Sequence, residues 1–154
     1  MADFSGITNF VQLTPDVGTS GQPTREQFAA IAADGYRAVI NLALPTSDHA
    51  IADEGSVVTG HGMSYVHIPV DFKNPTADDL RAFVGAMRAL EGRKVWVHCV
   101  MNLRVSAFMY HYLKHVRGYD DAAARSPVLP RWEPRMEPVW KEFLALEIDL
   151  GGAR

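Results

Sequence analysis

The residues with chemical reach gather at one point of the chain, His98-Cys-Val-Met-Asn-Leu-Arg-Val-Ser106. The run Lys94-Val-Trp-Val-His-Cys99 reads as a buried strand, and Leu103 to about Val116 reads as a largely apolar helix. A loop between a strand end and a helix start turns successive backbone N–H groups into one concavity, which the helix macrodipole makes attractive to an anion. The same dipole favours thiolate over thiol at the base of that concavity, the place of Cys99. Arg104, five residues after Cys99, offers a planar fork that matches two oxygens of a phosphate or sulfate. A thiolate facing an anion cradle is suited to nucleophilic attack on phosphorus or sulfur. The same residue types also fit a quieter use. A lone cysteine closing a buried strand serves as a small apolar core residue, and an arginine five positions on serves as surface charge. His98 either fixes the loop through hydrogen bonds or fills the other face of the strand.

The elements that must position this loop belong to a chain of 154 residues with a single cysteine. One cysteine excludes an internal disulfide framework and a Cys-based zinc cluster. Fifteen Lys and Arg against eighteen Asp and Glu leave a net charge of −3, unlike the basic stripe of a nucleic-acid binder. No apolar run approaches the ~20 residues of a membrane span. The first residues, Met1-Ala-Asp-Phe-Ser-Gly6, lack the basic start and apolar stretch of a secretory signal. The expectation is one cytoplasmic domain over residues 1–154 with a reduced thiol.

Thr24-Arg-Glu-Gln27 matches a capping box, and the helix it opens runs through Ala33 to a stop at Asp34-Gly35. Tyr36 to Leu42 reads as a strand, Ser47 to Gly60 as a weaker helix, and Ser64 to Val70 as a strand with Pro69 near its end. Thr76-Ala-Asp-Asp79 starts a helix in which Leu80, Phe83, Val84, Met87 and Leu90 repeat at helical spacing until Gly92. Gly118 to Pro138 reads as irregular, followed by a helix from about Glu137 to Leu150 that docks through Trp140, Phe143 and Leu144. This alternation predicts a three-layer α/β fold, a mainly parallel sheet of about four or five strands with helices on both faces. Its site belongs at the carboxyl ends of the strands. Outside the loop, His111 and His115 share a helix face without an evident third metal ligand. Arg125, Arg131 and Arg135 surround Trp132 in what reads as a solvated loop, or alternatively line the mouth of the site.

His98 to Ser106 resembles the signature loop of the cysteine-dependent protein tyrosine and dual-specificity phosphatases. It resembles more closely a family of small bacterial phosphatase-like domains, some of them fused to metallo-β-lactamase-type sulfur-handling domains. Gly18-Thr-Ser-Gly-Gln-Pro23, Ala38-Val-Ile-Asn-Leu42 and Tyr65-Val-His-Ile-Pro-Val70 are similar to that family's other marks, in order, from about residue 8 to 116. The resemblance implies a cysteine-phosphatase fold and a hydrolase that uses neither metal nor cofactor. It implies Cys99 as nucleophile, forming a phosphocysteine. Arg104 and the loop residues Val100, Met101, Asn102 and Leu103, with His98 beside them, would bind the phosphoryl group. Ser106 would sit near the sulfur and help the thiolate leave. Such enzymes take a general acid from an aspartate on an upstream loop. Asp71, 28 residues before Cys99 and directly after Val70, holds that position, whereas Asp78 and Asp79 read better as first-turn helix charges. The implied partner is a phosphorylated substrate or another oxyanion, not a nucleic acid or a membrane.

The loop departs from the tyrosine-phosphatase pattern. Four residues rather than five separate Cys99 from Arg104, and no glycine lies between them. Asn102 is the residue there that tolerates a left-handed backbone. A four-residue spacer is usual in rhodanese-type sulfurtransferases, whose cysteine carries a persulfide. Sulfur transfer is therefore the enzymatic alternative, and a non-catalytic phosphate-binding module is a third reading.

Overall fold

A computed structural model describes residues 2–150; Met1 and residues 151–154, the two ends of the expected domain, lie outside the described residues. Strands β1 (Val11–Thr14), β2 (Val17–Ser20), β3 (Ala38–Asn41), β4 (Ser64–His67) and β5 (Val95–His98) form one sheet in the order β1-β2-β5-β3-β4. β1 and β2 are antiparallel, while the β2–β5, β5–β3 and β3–β4 pairs are parallel. Register sets Ser20 and Asn41 on either side of His98, at the carboxyl end of central strand β5.

Alternation along the buried strands divides the core in two. Ala38, Ile40, Val95 and Val97 face a cluster containing Phe83, Phe108, Leu129 and Trp140. Val39 and Trp96 face the other, with Phe28, Ile31, Val58, Phe4 and Ile7. Helices α1 (Arg25–Ala33) and α2 (Glu54–Gly60) supply the second cluster. Helices α3 (Ala77–Ala89), α4 (Leu103–His111), α5 (Asp121–Ala124), α6 (Val128–Trp132) and α7 (Pro138–Leu144) supply the first. The result is the three-layer α/β arrangement expected. The capping box of Thr24 with Gln27 forms, and the N-cap Thr76 makes a second one with Asp79. Asp79 caps the Thr76 N–H at 3.1 Å and Asp78 pairs with Arg81 at 2.8 Å, so both acids serve the start of α3.

Several elements differ from expectation. The β1–β2 hairpin is absent from the sequence reading because four-residue strands carry too little period; Thr14-Pro-Asp-Val17 was its one turn signal. The helix expected over Ser47–Gly60 is only α2, since Ser47 bonds locally to the Leu44 N–H at 2.9 Å and holds a turn. The helix from Leu103 changes to a π-helical turn at Tyr112–Val116. Gly118 to Pro138 contains α5, α6 and a 3₁₀ turn at Glu133–Arg135. The last helix ends at Leu144, because Leu146-Glu-Ile-Asp-Leu150 alternates apolar with acidic residues, a period of two that suits extended chain. The stretch read as a loop around Trp132 is largely helical, with Arg125 paired to Asp121 and Glu133, Arg131 and Arg135 exposed, and Trp132 packed inward. His111 and His115 stack 5.4 Å apart, with His111 Nε2 on the Phe143 carbonyl at 2.7 Å. Among the described residues no helix is long and apolar enough to cross a membrane.

Candidate active site

β5 ends at His98, and Cys99 follows it, buried at the start of a loop that enters α4. The loop is held by its carbonyls. That of Val100 accepts from the Gln22 N–H at 3.0 Å, and that of Met101 from Asn9 Nδ2 at 3.0 Å. Because a peptide is planar and trans, carbonyls drawn toward Gln22 and Asn9 turn the N–H groups of Met101 and Asn102 the opposite way. Among the described residues no protein acceptor meets those amides, nor the Leu103 and Arg104 amides at the free N-terminus of α4. Together they shape a concavity, the cradle, whose geometry could receive an anion.

Two residues permit so tight a turn. Asn102 adopts φ 70° at the N-cap position of α4, the left-handed conformation that asparagine tolerates. Its side chain donates to the Asn9 carbonyl at 2.8 Å and to Thr19 Oγ1 at 3.3 Å. Gly21 lies so close that a Cβ there would come within 2.2 Å of the Val100 carbonyl oxygen. Met101, 49% exposed, projects from the rim. Val100 and Met101 border a cleft of about 470 Å³ lined also by Gln22, Arg25, His49 and Ile51.

Arg104 is buried at the side of the loop, its Nη1 donating to the Val70 carbonyl at 2.9 Å and its guanidinium 5.7 Å from the Phe72 ring. Asp71, between those two contacts, is exposed and accepts the Lys73 N–H at 2.9 Å. The fold therefore brings the Asp71 loop against the residue that would grip the anion. Ser106 donates its hydroxyl to the Leu103 carbonyl at 2.7 Å, bracing the first turn of α4.

His98 lies behind the cradle rather than in it. Its ring is fully buried, with Nδ1 3.1 Å from the Cys99 carbonyl and Nε2 2.6 Å from Glu54 Oε2. Glu54 Oε1 accepts from Gln22 Nε2 at 2.7 Å. With both nitrogens engaged, the imidazole has no group left for a substrate, which corrects its place among the substrate-binding residues. Burial pushes the Glu54 carboxyl up, but the hydrogen bond and charge of His98, then the bonds of Gln22 and Tyr65, outweigh it and hold Glu54 below its ordinary range. Tyr65 is itself pushed up to about 12, chiefly by burial.

The model of the phosphatase-like domain of Beta-lactamase hydrolase-like protein matches residues 9–110, which include the sheet, the cradle and Arg104. The chain belongs to this family. It is 32% identical over 110 residues to Beta-lactamase hydrolase-like protein of Xylella fastidiosa, an overlap of 69% of this chain and 25% of the relative. The chain thus aligns with about a quarter of that relative's length. A candidate phosphatase (DUF442) from Shewanella putrefaciens CN-32 is 38% identical, with a TM-score of 0.81 over 91% of each chain. TpbA of P. aeruginosa, in complex with pTyr, is 19% identical with a TM-score of 0.64 over 80% of this chain and 73% of that one, a likeness of fold.

The family match stops before α5, yet the segment beyond it reaches the site. Trp140 Nε1 donates to the Phe72 carbonyl at 2.7 Å, and the Trp132 ring lies 5.9 Å from that of Phe72. The loop that carries Asp71 in this family member is thus held by α6 and α7. Sequence reasoning missed Glu54, Asn9 and Trp140 as parts of the site, since each arrives from distant chain without a local motif. Gly21 and Gln22 had a signal, lying within the Gly18–Pro23 block that resembles the family's.

Proposed function

We propose that this family member is a Cys-dependent phosphatase that hydrolyses a phosphate monoester through a phosphocysteine intermediate. The observation that supports the proposal is the loop itself: carbonyls of Val100 and Met101 tied to Gln22 and Asn9, amides turned the other way, Cys99 buried at its start and Arg104 buried in the first turn of α4. In this reading the Cys99 thiolate attacks phosphorus, forming the S–P bond as the P–O bond to the leaving group breaks. The Asp71 carboxyl gives its proton to the departing oxygen. Loop amides and the Arg104 N–H groups not used on Val70 hold the three equatorial oxygens as charge develops. Water then attacks the phosphocysteine, its proton passes to the Asp71 carboxylate, and phosphate leaves with the thiolate restored. Ser106, two residues beyond Arg104, would serve this second step by turning its hydroxyl from the Leu103 carbonyl, 2.7 Å away, toward the sulfur. The whole chain acts as one domain, because α6 and α7 hold the Asp71 loop.

The phosphotyrosine in the P. aeruginosa neighbour makes an aryl phosphate the first probe. Turnover of aryl phosphate by the wild type, abolished in Cys99→Ser, is the expected result; equal turnover by that variant overturns the proposal. The four-residue Cys–Arg spacer favours sulfur transfer as the second reading. It would appear as a gain of about 32 daltons on Cys99 after thiosulfate, removed by cyanide.

A further inference from the structure

The end of the sheet opposite the cradle carries a second concavity, of about 540 Å³. Three connections meet there. Helices α1, α2 and α3 each turn into the next strand through a glycine in the left-handed region: Gly35 at φ 92°, Gly62 at φ 83° and Gly92 at φ 82°. Strands β5, β3 and β4 are neighbours in the sheet, so these turns lie side by side. Backbone bonds fix their spacing. The Arg37 N–H donates to the Lys94 carbonyl at 2.8 Å, and the Arg37 carbonyl accepts from the Ser64 N–H at 2.9 Å. Arg37 thus stands between Lys94 and Ser64, with Arg93 next to Lys94 in the chain.

Besides the glycines, the hollow is lined by Arg37, Arg93, Lys94 and Ser64, a set with three cations, no acid and no apolar side chain. It stands out in a chain of net charge −3. Lys94 is engaged. Its Nζ meets the Asp34 carboxylate at 3.1 Å and the Asp34 carbonyl at 2.7 Å, and lies 4.4 Å from the centre of the Tyr36 ring. It therefore serves the carbonyl end of α1, where the helix dipole favours a cation. Arg37 and Arg93 do no such work. Both are exposed, and among the described residues neither guanidinium has a hydrogen-bond or ion-pair partner. The acids flanking the turns answer other cations, Asp34 through Lys94 and Glu91 through its charge on Arg117. Like charges gathered in one hollow repel each other, and low-dielectric walls focus their field on an entering anion.

The wall also names the class of occupant. A membrane contact or a protein hot spot calls for apolar or aromatic side chains at its centre, and this lining has none. A nucleic acid calls for cations spread along a face rather than gathered in one hollow. Two planar forks beside a hydroxyl suit a small oxyanion. We propose that this hollow binds a soluble oxyanion of two or more negative charges, a polyphosphate or polycarboxylate. The Arg37 and Arg93 guanidiniums hold it, with Lys94 and Ser64 at its edge. Lys94 precedes β5 and Cys99 follows it, so an anion bound here leaves the cradle free. The site stands whether or not the cradle hydrolyses a phosphate ester.

Pyrophosphate is the probe, added to the wild-type chain with ionic strength held constant by sodium chloride and followed by nitrogen-15 NMR. The amides of Gly35, Gly62 and Gly92 are expected to shift along a saturating curve. Those of Met101 to Arg104 report the cradle in the same spectra, so the two sites are told apart. Arg37→Gln combined with Arg93→Gln should weaken the glycine response at least about tenfold, while the loop response and the unfolding temperature stay as in the wild type. Glycine shifts that fail to saturate, or that chloride alone reproduces, overturn the proposal. So do shifts confined to the loop, or an unchanged affinity in the double variant. Binding to phosphatidylserine vesicles that the double variant loses, with no response to pyrophosphate, would assign the cations to a membrane surface and overturn it as well.

Discussion

Arg104 Nη1 donates to the carbonyl of Val70 at 2.9 Å, across 34 residues of sequence. The contact joins the loop after β5 to the loop that presents Asp71, so the residue proposed to hold a phosphoryl group is set by the residue just before the proposed acid. Of the five N–H donors of a guanidinium, one is committed to Val70 and the rest of the fork remains for an anion. Lysine has a charge but no fork, and cannot make both contacts in fixed geometry. Arg104→Lys should lower kcat/KM for an aryl phosphate at least about a hundredfold and weaken phosphate-induced thermal stabilisation. Retention of both would show that the fork has no role in binding the anion.

Asp71→Asn should reduce kcat about 10²–10⁴-fold, the usual contribution of a positioned acid. A leaving group that needs no proton should shrink the defect. Equal defects for good and poor leaving groups would move the acid elsewhere.

Gly21→Ala puts a Cβ at 2.2 Å from the Val100 carbonyl oxygen, a backbone atom that can retreat only by reshaping the cradle. Overpacking of this kind costs about 1–3 kcal/mol, measurable by denaturant titration. Aryl phosphate turnover should fall much further than that loss of stability implies, because Val100 leads directly to the amides of the loop. Full activity in a destabilised variant would separate the approach of Gly21 from the function of the loop.

Trp140→Phe keeps an aromatic ring in the core but removes the donor to the Phe72 carbonyl. Leaving that carbonyl unmatched should cost about 1–3 kcal/mol. With its anchor gone, the Asp71 loop should lose kcat several-fold while KM stays nearly constant. An unchanged kcat would restrict α7 to a structural role.

Burial pushes His111 down in pKa; the Phe143 carbonyl opposes this and the charges of His115 and Lys114 add to it. Its folded-state value thus lies below the unfolded one. The unfolded chain binds more protons as pH falls below about 6.5, so the stability present above that value is lost on acidification toward the folded-state value. Urea midpoints at about pH 7.5 and 5.5 should show a fall that His111→Gln makes shallower. Parallel pH slopes for the two proteins would assign the acid sensitivity to other groups.

The legible parts of this molecule were those written in short stretches of chain. The capping box of Thr24 with Gln27, and the N-cap Thr76 with the acidic residues after it, announce helix starts because each signal lies within one turn. Strand, Cys99, four residues, Arg104 and helix announce an anion cradle for the same reason: the geometry is local. The β1–β2 hairpin was not legible, since four residues on each side of Pro15-Asp16 show too little alternation. Nor was the end of α7, where apolar residues at helical spacing pass into Leu146, Ile148 and Leu150 at spacing two.

By itself the sequence determined the α/β alternation, the lone thiol at a strand end and the cation five residues on. Tertiary structure alone decided what surrounds them. It set His98 behind the loop on Glu54, drew the loop carbonyls toward Gln22 and Asn9, tied Arg104 to Val70, and hung the Asp71 loop from Trp140. The reason is physical: periodicity and capping act over one or two turns of chain. Hydrogen bonds to buried carbonyls and the pairing of a buried histidine ring with a carboxyl depend instead on which distant segments the packed core brings within about 3 Å.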